Sequence, residues 1–190
     1  METPRSFLRP GEITEIVGSL SSGRTSLLMR ALADLTRSGA VVSLVDSDEV
    51  FDPPTAVRAG VELARVLWVR CGGDRQRALR ATDLLVRCPG FGAVALDVGE
   101  TPPRLTLGEA FRLKLAVRQR GLALVIVGRR RIVGAGAALA IETTQVGQEW
   151  TGPTAGLTRL AGMHTALRVL RERGPRRAGA EAGLSWQWKT

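Results

Sequence analysis

The segment Gly18-Ser-Leu-Ser-Ser-Gly23-Arg24-Thr25 constrains this chain more than any other. It follows a short β-branched run at 13–17. It precedes a stretch at 24–37 whose Leu27, Leu28, Ala31 and Leu35 fall at helical spacing. A glycine-rich turn between strand and helix aims backbone N–H groups at one spot before a helix N-terminus, the arrangement that cradles phosphate. Gly18, Ser21, Ser22, Gly23, Arg24, Thr25 and Ser26 are therefore the candidate cofactor-binding residues, with Thr25 placed to meet a magnesium ion. The spacing is that of a P-loop, but arginine holds the lysine position. A slim ammonium reaches terminal phosphates, whereas a wider planar guanidinium meets them from another angle. Arg24 could equally fold over the loop and fill it.

Such a loop needs a sheet behind it, and short apolar runs alternating with amphipathic stretches supply one. Strands are expected at 40–45, 65–69, 91–98 and 122–127, of which 40–45 and 122–127 have the unbroken apolar character of strands buried on both faces. A short helix is expected at 55–63 after Asp52-Pro53-Pro54. Asp74 can cap a second helix running to Arg87, and Thr106 with Glu109 has capping-box spacing for a third, ending at Arg120 before Gly121. Beyond Arg131 the runs 138–150, 165–170 and 184–188 alternate without helices between them, which suggests antiparallel strands on one edge. The expectation is one α/β domain over 1–190, a core of about 11–150 with a mostly parallel sheet flanked by helices, and an antiparallel edge extension of about 138–190. Asp97, closing Ala93-Val-Ala-Leu-Asp97, stands where P-loop proteins keep the aspartate that holds magnesium through water.

The 190 residues allow one sizeable core, and 44% apolar with 24% charged residues is ordinary for a globular chain. No apolar run is long enough to span a membrane and the first ten residues do not resemble a signal peptide, so a cytoplasmic setting is expected. Cys71 and Cys88 make neither a disulfide framework nor a four-ligand zinc site and read as buried thiols; His164 reads as structural. The formal charge is +9, yet of 27 basic residues only Lys114 and Lys189 are lysines. That balance permits DNA binding without requiring it, and arginine bias in a GC-rich genome gives the same count. Arg129, Arg130 and Arg131 are the nucleic-acid candidates, because they follow a central strand at the end where α/β sites lie. Trp186 and Trp188 lie on one face of a terminal strand, to pack on the sheet or to mark an interface.

GEITEIVGSLSSGRTSLL followed by LVDSDEVFDPPTAVRAGVEL resembles the core of the RecA recombinase family, where a strand, a Ser-Ser-Gly P-loop and an acidic Asp-Pro segment come in that order. The resemblance implies a RecA-like P-loop fold. It also locates departures. In RecA a glutamate of the acidic segment activates the attacking water; here Asp48 matches it with Glu49 beside it, so both are vestigial catalytic candidates. The DNA loop after the magnesium aspartate is reduced to 98–104, and the region 128–136 lacks the glutamine that senses the γ-phosphate. The chain starts about ten residues before the first core strand, without RecA's subunit-bridging arm. RecA also sends two basic residues, one residue apart, to the neighbour's ATP. Arg171 and Arg173 keep that spacing and are the trans-interface candidates; alternating arginines on a solvated edge strand are the plainer alternative.

A RecA core so reduced is similar to ImuA, the RecA-like accessory factor of bacterial damage-induced mutagenesis, more than to the cell-division inhibitor SulA. That likeness implies RecA, an ImuB-type Y-family polymerase homologue and an error-prone polymerase complex as partners, with work done by protein contacts in the SOS response and translesion synthesis. Two alternatives stay open: a P-loop ATPase of the RecA superfamily using ATP and magnesium with Arg24 for lysine, and a basic DNA-binding scaffold. No cofactor is assigned, and no membrane role is expected.

Overall fold

The computed structural model describes residues 7–152, 156 and 158–173, with the backbone of 181–187. In chain order it contains β1 (Ile13–Val17), α1 (Arg24–Arg37), β2 (Val41–Asp46), α2 (Pro53–Arg58), β3 (Val66–Arg70), α3 (Arg75–Arg87), β4 (Phe91–Asp97), α4 (Leu107–Arg120), β5 (Ala123–Gly128), β6 (Leu139–Thr151), β7 (Arg159–Glu172) and β8 (Glu181–Gln187). One eight-stranded sheet runs in the order β3-β2-β4-β5-β1-β6-β7-β8. β1 to β6 are parallel to one another, β7 runs antiparallel to β6, and β8 antiparallel to β7.

The unbroken apolar runs become the middle of the sheet because helices cover both faces there. In β4, Ala93 and Ala95 pack toward the α1 side while Val94 and Leu96 pack toward α3 and α4; Val125 and Val127 of β5 divide from Leu124 and Ile126 in the same way. Helix ends are fixed by local chemistry. Asp74 accepts the Arg77 N–H at 2.9 Å, and Thr106 and Glu109 close both arms of the capping box. The helix expected at 55–63 stops early, at Arg58, because Gly60 at φ 91 turns the chain before a short helical turn at Leu63–Arg65.

The run at 138–150 is antiparallel to β7 from its first residue, as expected, and over Leu139 to Glu142 its other edge also pairs parallel with Thr14 to Val17 of β1. Cys71 is buried as expected, but Cys88 is exposed. It terminates α3 just before Pro89, outside the apolar face. The Trp186 side chain and all of Trp188 lie outside the described residues.

The strand order positions the site. From β1 the chain passes β5 and β4 to reach β2, so α1 begins at a crevice where neighbouring connections leave in opposite directions. Register brings Val17 level with Gly128, and Asp46 level with Asp97, at the carboxyl end of the parallel strands. No helix among the described residues is long and apolar enough to cross a membrane.

Candidate functional site

The loop leaving β1 is held from below by Gly18 N–H, which donates to Gly128 O at 3.2 Å, and tightened by Ser22 N–H donating to Ser19 O at 3.2 Å. It uses two left-handed residues, Ser21 at φ 59 and Gly23 at φ 92. Gly23 caps α1 without a side-chain hydrogen bond and the first turn has no acidic residue, so this N-terminus keeps its positive character. Ser22 is buried, and its hydroxyl shares a 2.7 Å hydrogen bond with that of Thr143 on β6. Thr143 also donates to Val17 O at 3.2 Å. A Cβ on Gly18 would stand 2.3 Å from Ser22 Oγ and 2.4 Å from Thr143 Oγ1. The glycine is therefore required by the hydroxyl pair against it. Ser21 and Thr25 are exposed and Ser26 half-buried.

Arg24 is buried, and its guanidinium turns back over the loop. Nη1 donates to Gly18 O at 2.6 Å, and Nη2 pairs with Glu100 Oε1. The other oxygen of Glu100 accepts from Arg129 Nη1 at 3.3 Å. Burial draws the Glu100 carboxyl upward, but the hydrogen bonds and charges of Arg24 and Arg129 outweigh it and hold it below its ordinary range. The loop's own cation is thus balanced by a carboxylate. Glu100 escapes a reading of the sequence because only folding brings the turn after β4 against the loop; its place three residues past Asp97 was the available signal.

Asp97 closes β4 as expected and accepts Gly99 N–H at 2.9 Å. Asp48 lies beside that turn, so close that a Cβ on Gly99 would meet its Oδ2 at 1.8 Å; its carboxylate pairs with Arg75 at 2.6 Å. Glu49, at φ 59, points elsewhere and pairs with Arg70 of the edge strand at 2.5 Å. Of the two acidic candidates only Asp48 is brought near Asp97. Asp46 is buried and fully used, accepting Val50 N–H at 3.2 Å, Phe51 N–H at 2.9 Å and Trp68 Nε1–H at 3.2 Å.

Burial pushes Asp97 up to about 6, against the Gly99 N–H and the charge of Arg24 and with help from Asp46 and Asp48. Because the folded value exceeds the ordinary aspartate value of 3.8, the native state holds this proton more tightly than the unfolded chain. Ionising Asp97 therefore costs stability, a cost absent below the unfolded value, growing between the two and complete above about 6. Asp97→Asn keeps an acceptor for Gly99 N–H and removes the charge. It is expected to stabilise the fold by about 2 kcal/mol at pH 8 and by almost nothing near pH 4. Urea unfolding across that range measures it; an equal effect at both ends contradicts the buried-charge account.

The arginine run after β5 does not form one patch. Arg130 donates to Pro102 O at 2.7 Å. Arg131 Nε donates at 2.8 Å to Glu15, a buried carboxylate in the middle of β1 that also accepts Ile132 N–H at 2.7 Å and Val133 N–H at 2.8 Å. Arg129 and Arg130 stay exposed, Arg129 at 61% of its side chain, while Arg131 is half-buried. Arg171 and Arg173 lie at the opposite end of the parallel sheet from the loop, since Leu139 at the start of β6 pairs with Glu172. Arg171 Nε donates to Ala137 O at 3.0 Å. The Arg173 side chain makes no hydrogen bond or ion pair among the described residues.

As for magnesium triphosphate, the loop backbone and helix end suit phosphate. The loop's own cation does not stand free for it, because Arg24 is committed to Gly18 O and Glu100.

A parallel sheet whose first strand enters a glycine loop at the crevice beside it places the chain among P-loop α/β proteins. A family model of the RecA N-terminal domain matches residues 7–107. Curated relatives named Protein RecA align at 30% identity over 126 residues in Borreliella afzelii, covering 65% of this chain and 33% of the relative. In Tropheryma whipplei the figures are 33% over 98 residues, 51% and 22%, and in Chlorobaculum parvum 36% over 87 residues, 46% and 25%. This chain belongs to the RecA family. It spans no more than about a third of the length of these relatives.

Proposed function

We propose that the chain is a RecA-core accessory protein of the ImuA kind, acting in the cytoplasm by protein contacts rather than by ATP turnover. Its role is to dock on RecA filaments and to support an ImuB-type Y-family polymerase homologue and an error-prone polymerase in SOS translesion mutagenesis. The observation that carries the reading is the commitment of Arg24 to Gly18 O and Glu100. Any phosphate entering the loop competes with a carboxylate already bonded to the cation that would receive it. Placing Arg171 and Arg173 at the far end of the sheet supports the contact half of the proposal. A head-to-tail assembly needs its two complementary surfaces at different places on the subunit, and a member that offers only one of them ends the chain.

RecA strand exchange and filament length, measured with increasing amounts of this protein, test the proposal. Shorter filaments at well below one copy per RecA are expected, and Arg171→Ala with Arg173→Ala should weaken the effect. No effect at excess protein removes the filament role. Calorimetry with magnesium-ATP runs alongside. Micromolar affinity with turnover abolished by Asp97→Ala would turn the reading to an ATPase. DNA affinity falling steeply with salt and lost on changing Arg129 would turn it to a DNA scaffold.

A further inference from the structure

At the amino end of the parallel strands, the pole opposite the phosphate loop, a cavity of about 470 Å³ opens between several stretches of chain. Its walls are the entry to β1, the last turns of α4, the approach to β6 and Arg173 just past β7. Backbone donors there are already spent. Gly11 N–H donates to Leu122 O at 2.8 Å, Ala138 N–H to Ile13 O at 2.8 Å and Arg173 N–H to Ala138 O at 2.7 Å. What the cavity offers a ligand is therefore side chains, and three of those lining it are cations: Lys114, Arg118 and Arg173.

Elsewhere arginines close on carboxylates, as Arg24 does on Glu100 and Arg131 on Glu15. None of these three side chains has a hydrogen bond or ion pair among the described residues, although Lys114 is half-buried. Glu12 also lines the cavity, but its carboxylate lies 3.7 Å from Arg9, which is bonded in turn to Glu172 at 2.7 Å. Arg118 has an ordinary use in the last turn of α4, where it complements the carbonyl end of the helix. That use does not extend to Lys114, a full turn earlier, or to Arg173 from another element. Lys114 and Arg118 also stand at i and i+4, where like charges repel along one helix face. An anion between them relieves that repulsion.

Charge and shape identify the ligand. A carboxylate brings one negative charge, whereas a phosphate monoester brings nearly two in one compact group. Guanidinium forks meet phosphate oxygens in pairs, and the lysine adds a point charge. Nucleic acid fits less well, because the cations converge on one cavity rather than tracking a backbone. No aromatic side chain among the described lining residues offers a platform for a base.

We infer that this cavity binds a small phosphate-bearing anion, of the diphosphate or phosphomonoester class, through Lys114, Arg118 and Arg173. The phosphate loop takes no part, since it follows the end of β1 and the cavity lies where β1 begins. The site is tested through Lys114 and Arg118, neither of which belongs to the filament surface proposed above.

Inorganic diphosphate and the full chain are used. Calorimetry at constant ionic strength is expected to show saturable binding, weakened roughly tenfold by Lys114→Ala and again by Arg118→Ala, as loss of a charge-assisted hydrogen bond does. Arg120→Ala removes a cation of the same helix outside the cavity lining and should leave affinity unchanged. A second measurement needs no variant. Lys114 and Lys189 are the chain's only lysines, so partial acylation read by mass spectrometry compares Lys114 with an internal reference. Diphosphate is expected to slow labelling of Lys114 severalfold relative to Lys189, and this result decides the matter if a variant fails to fold. The inference is overturned by unchanged Lys114 labelling at millimolar diphosphate, or by equal affinity in the Lys114→Ala/Arg118→Ala protein. It is also overturned by affinity that is lost in Arg24→Ala instead, or by an oligoglutamate peptide binding as tightly as diphosphate.

Discussion

Glu15→Ala is expected to lower the free energy of unfolding by about 4 kcal/mol, the largest single-residue effect outside the apolar core. Glu15 is 1% exposed in the middle of β1, where a charged residue is tolerated only with full pairing. It has that pairing: Oε1 takes the N–H groups of Ile132 and Val133 at 2.7 and 2.8 Å, and Oε2 takes Arg131 Nε at 2.8 Å. Alanine strands two buried donors and an arginine at once. Glu15→Gln retains a carbonyl for the two N–H groups and loses the ion pair, so about half the cost is expected. Arg131→Met should cost less again, because Arg131 is partly solvated, at 28% side-chain exposure. Urea unfolding with unchanged m-values measures all three. A loss below about 1 kcal/mol for alanine means that the loop after β5 is not anchored through β1.

That anchor shows where sequence reasoning reached and where it stopped. Local signals were strong: the apolar run ending at Val127, the Asp74 cap and the Thr106–Glu109 box are each written within a few neighbouring residues, and each places its element. The loop glycines were legible for the same reason. Glu15 was not, because an isolated acid in a β-branched run looks like the solvated side of a strand until the distant N–H groups of 132 and 133 arrive over it. Glu100 and Thr143 were missed alike. Their contacts join residues 76 and 121 positions apart, and periodicity carries no information over such separations. The mixed pairing of β6 was hidden because alternation reports burial of faces, not the direction of a neighbouring strand.

The arginine excess takes on a different meaning once these contacts are known. Arg24 and Arg129 converge on Glu100, Arg131 closes on Glu15, Arg75 on Asp48 and Arg70 on Glu49. A planar fork that serves carboxylates and carbonyls together suits such clamps better than an ammonium. Around the phosphate loop, then, positive charge is largely neutralised within the chain. Away from the loop the balance differs: the Arg173 side chain, without an ion pair among the described residues, lies at the far end of the sheet.

Gly23→Ala tests how firmly the loop is bound to the C-terminal strands, with an expected loss of about 3 kcal/mol. Two causes add. Gly23 sits at φ 92, a conformation that costs an alanine roughly 1 kcal/mol. The added methyl would also stand 2.3 Å from Thr165 Oγ1 and 3.1 Å from its Cβ and Cγ2, on a β7 residue that is 1% exposed and has no room to withdraw. Removing the hydroxyl and methyl in Gly23→Ala/Thr165→Ala should recover the steric part and leave about 1 kcal/mol of backbone strain. A double-mutant cycle by chemical unfolding yields the coupling directly. A coupling of about 2 kcal/mol means that β7 braces the phosphate loop, so that anything displacing the β6–β7 hairpin is felt at Arg24. If Gly23→Ala costs the same with and without Thr165, the strain is all in the backbone, and the loop and hairpin are mechanically separate despite their contact.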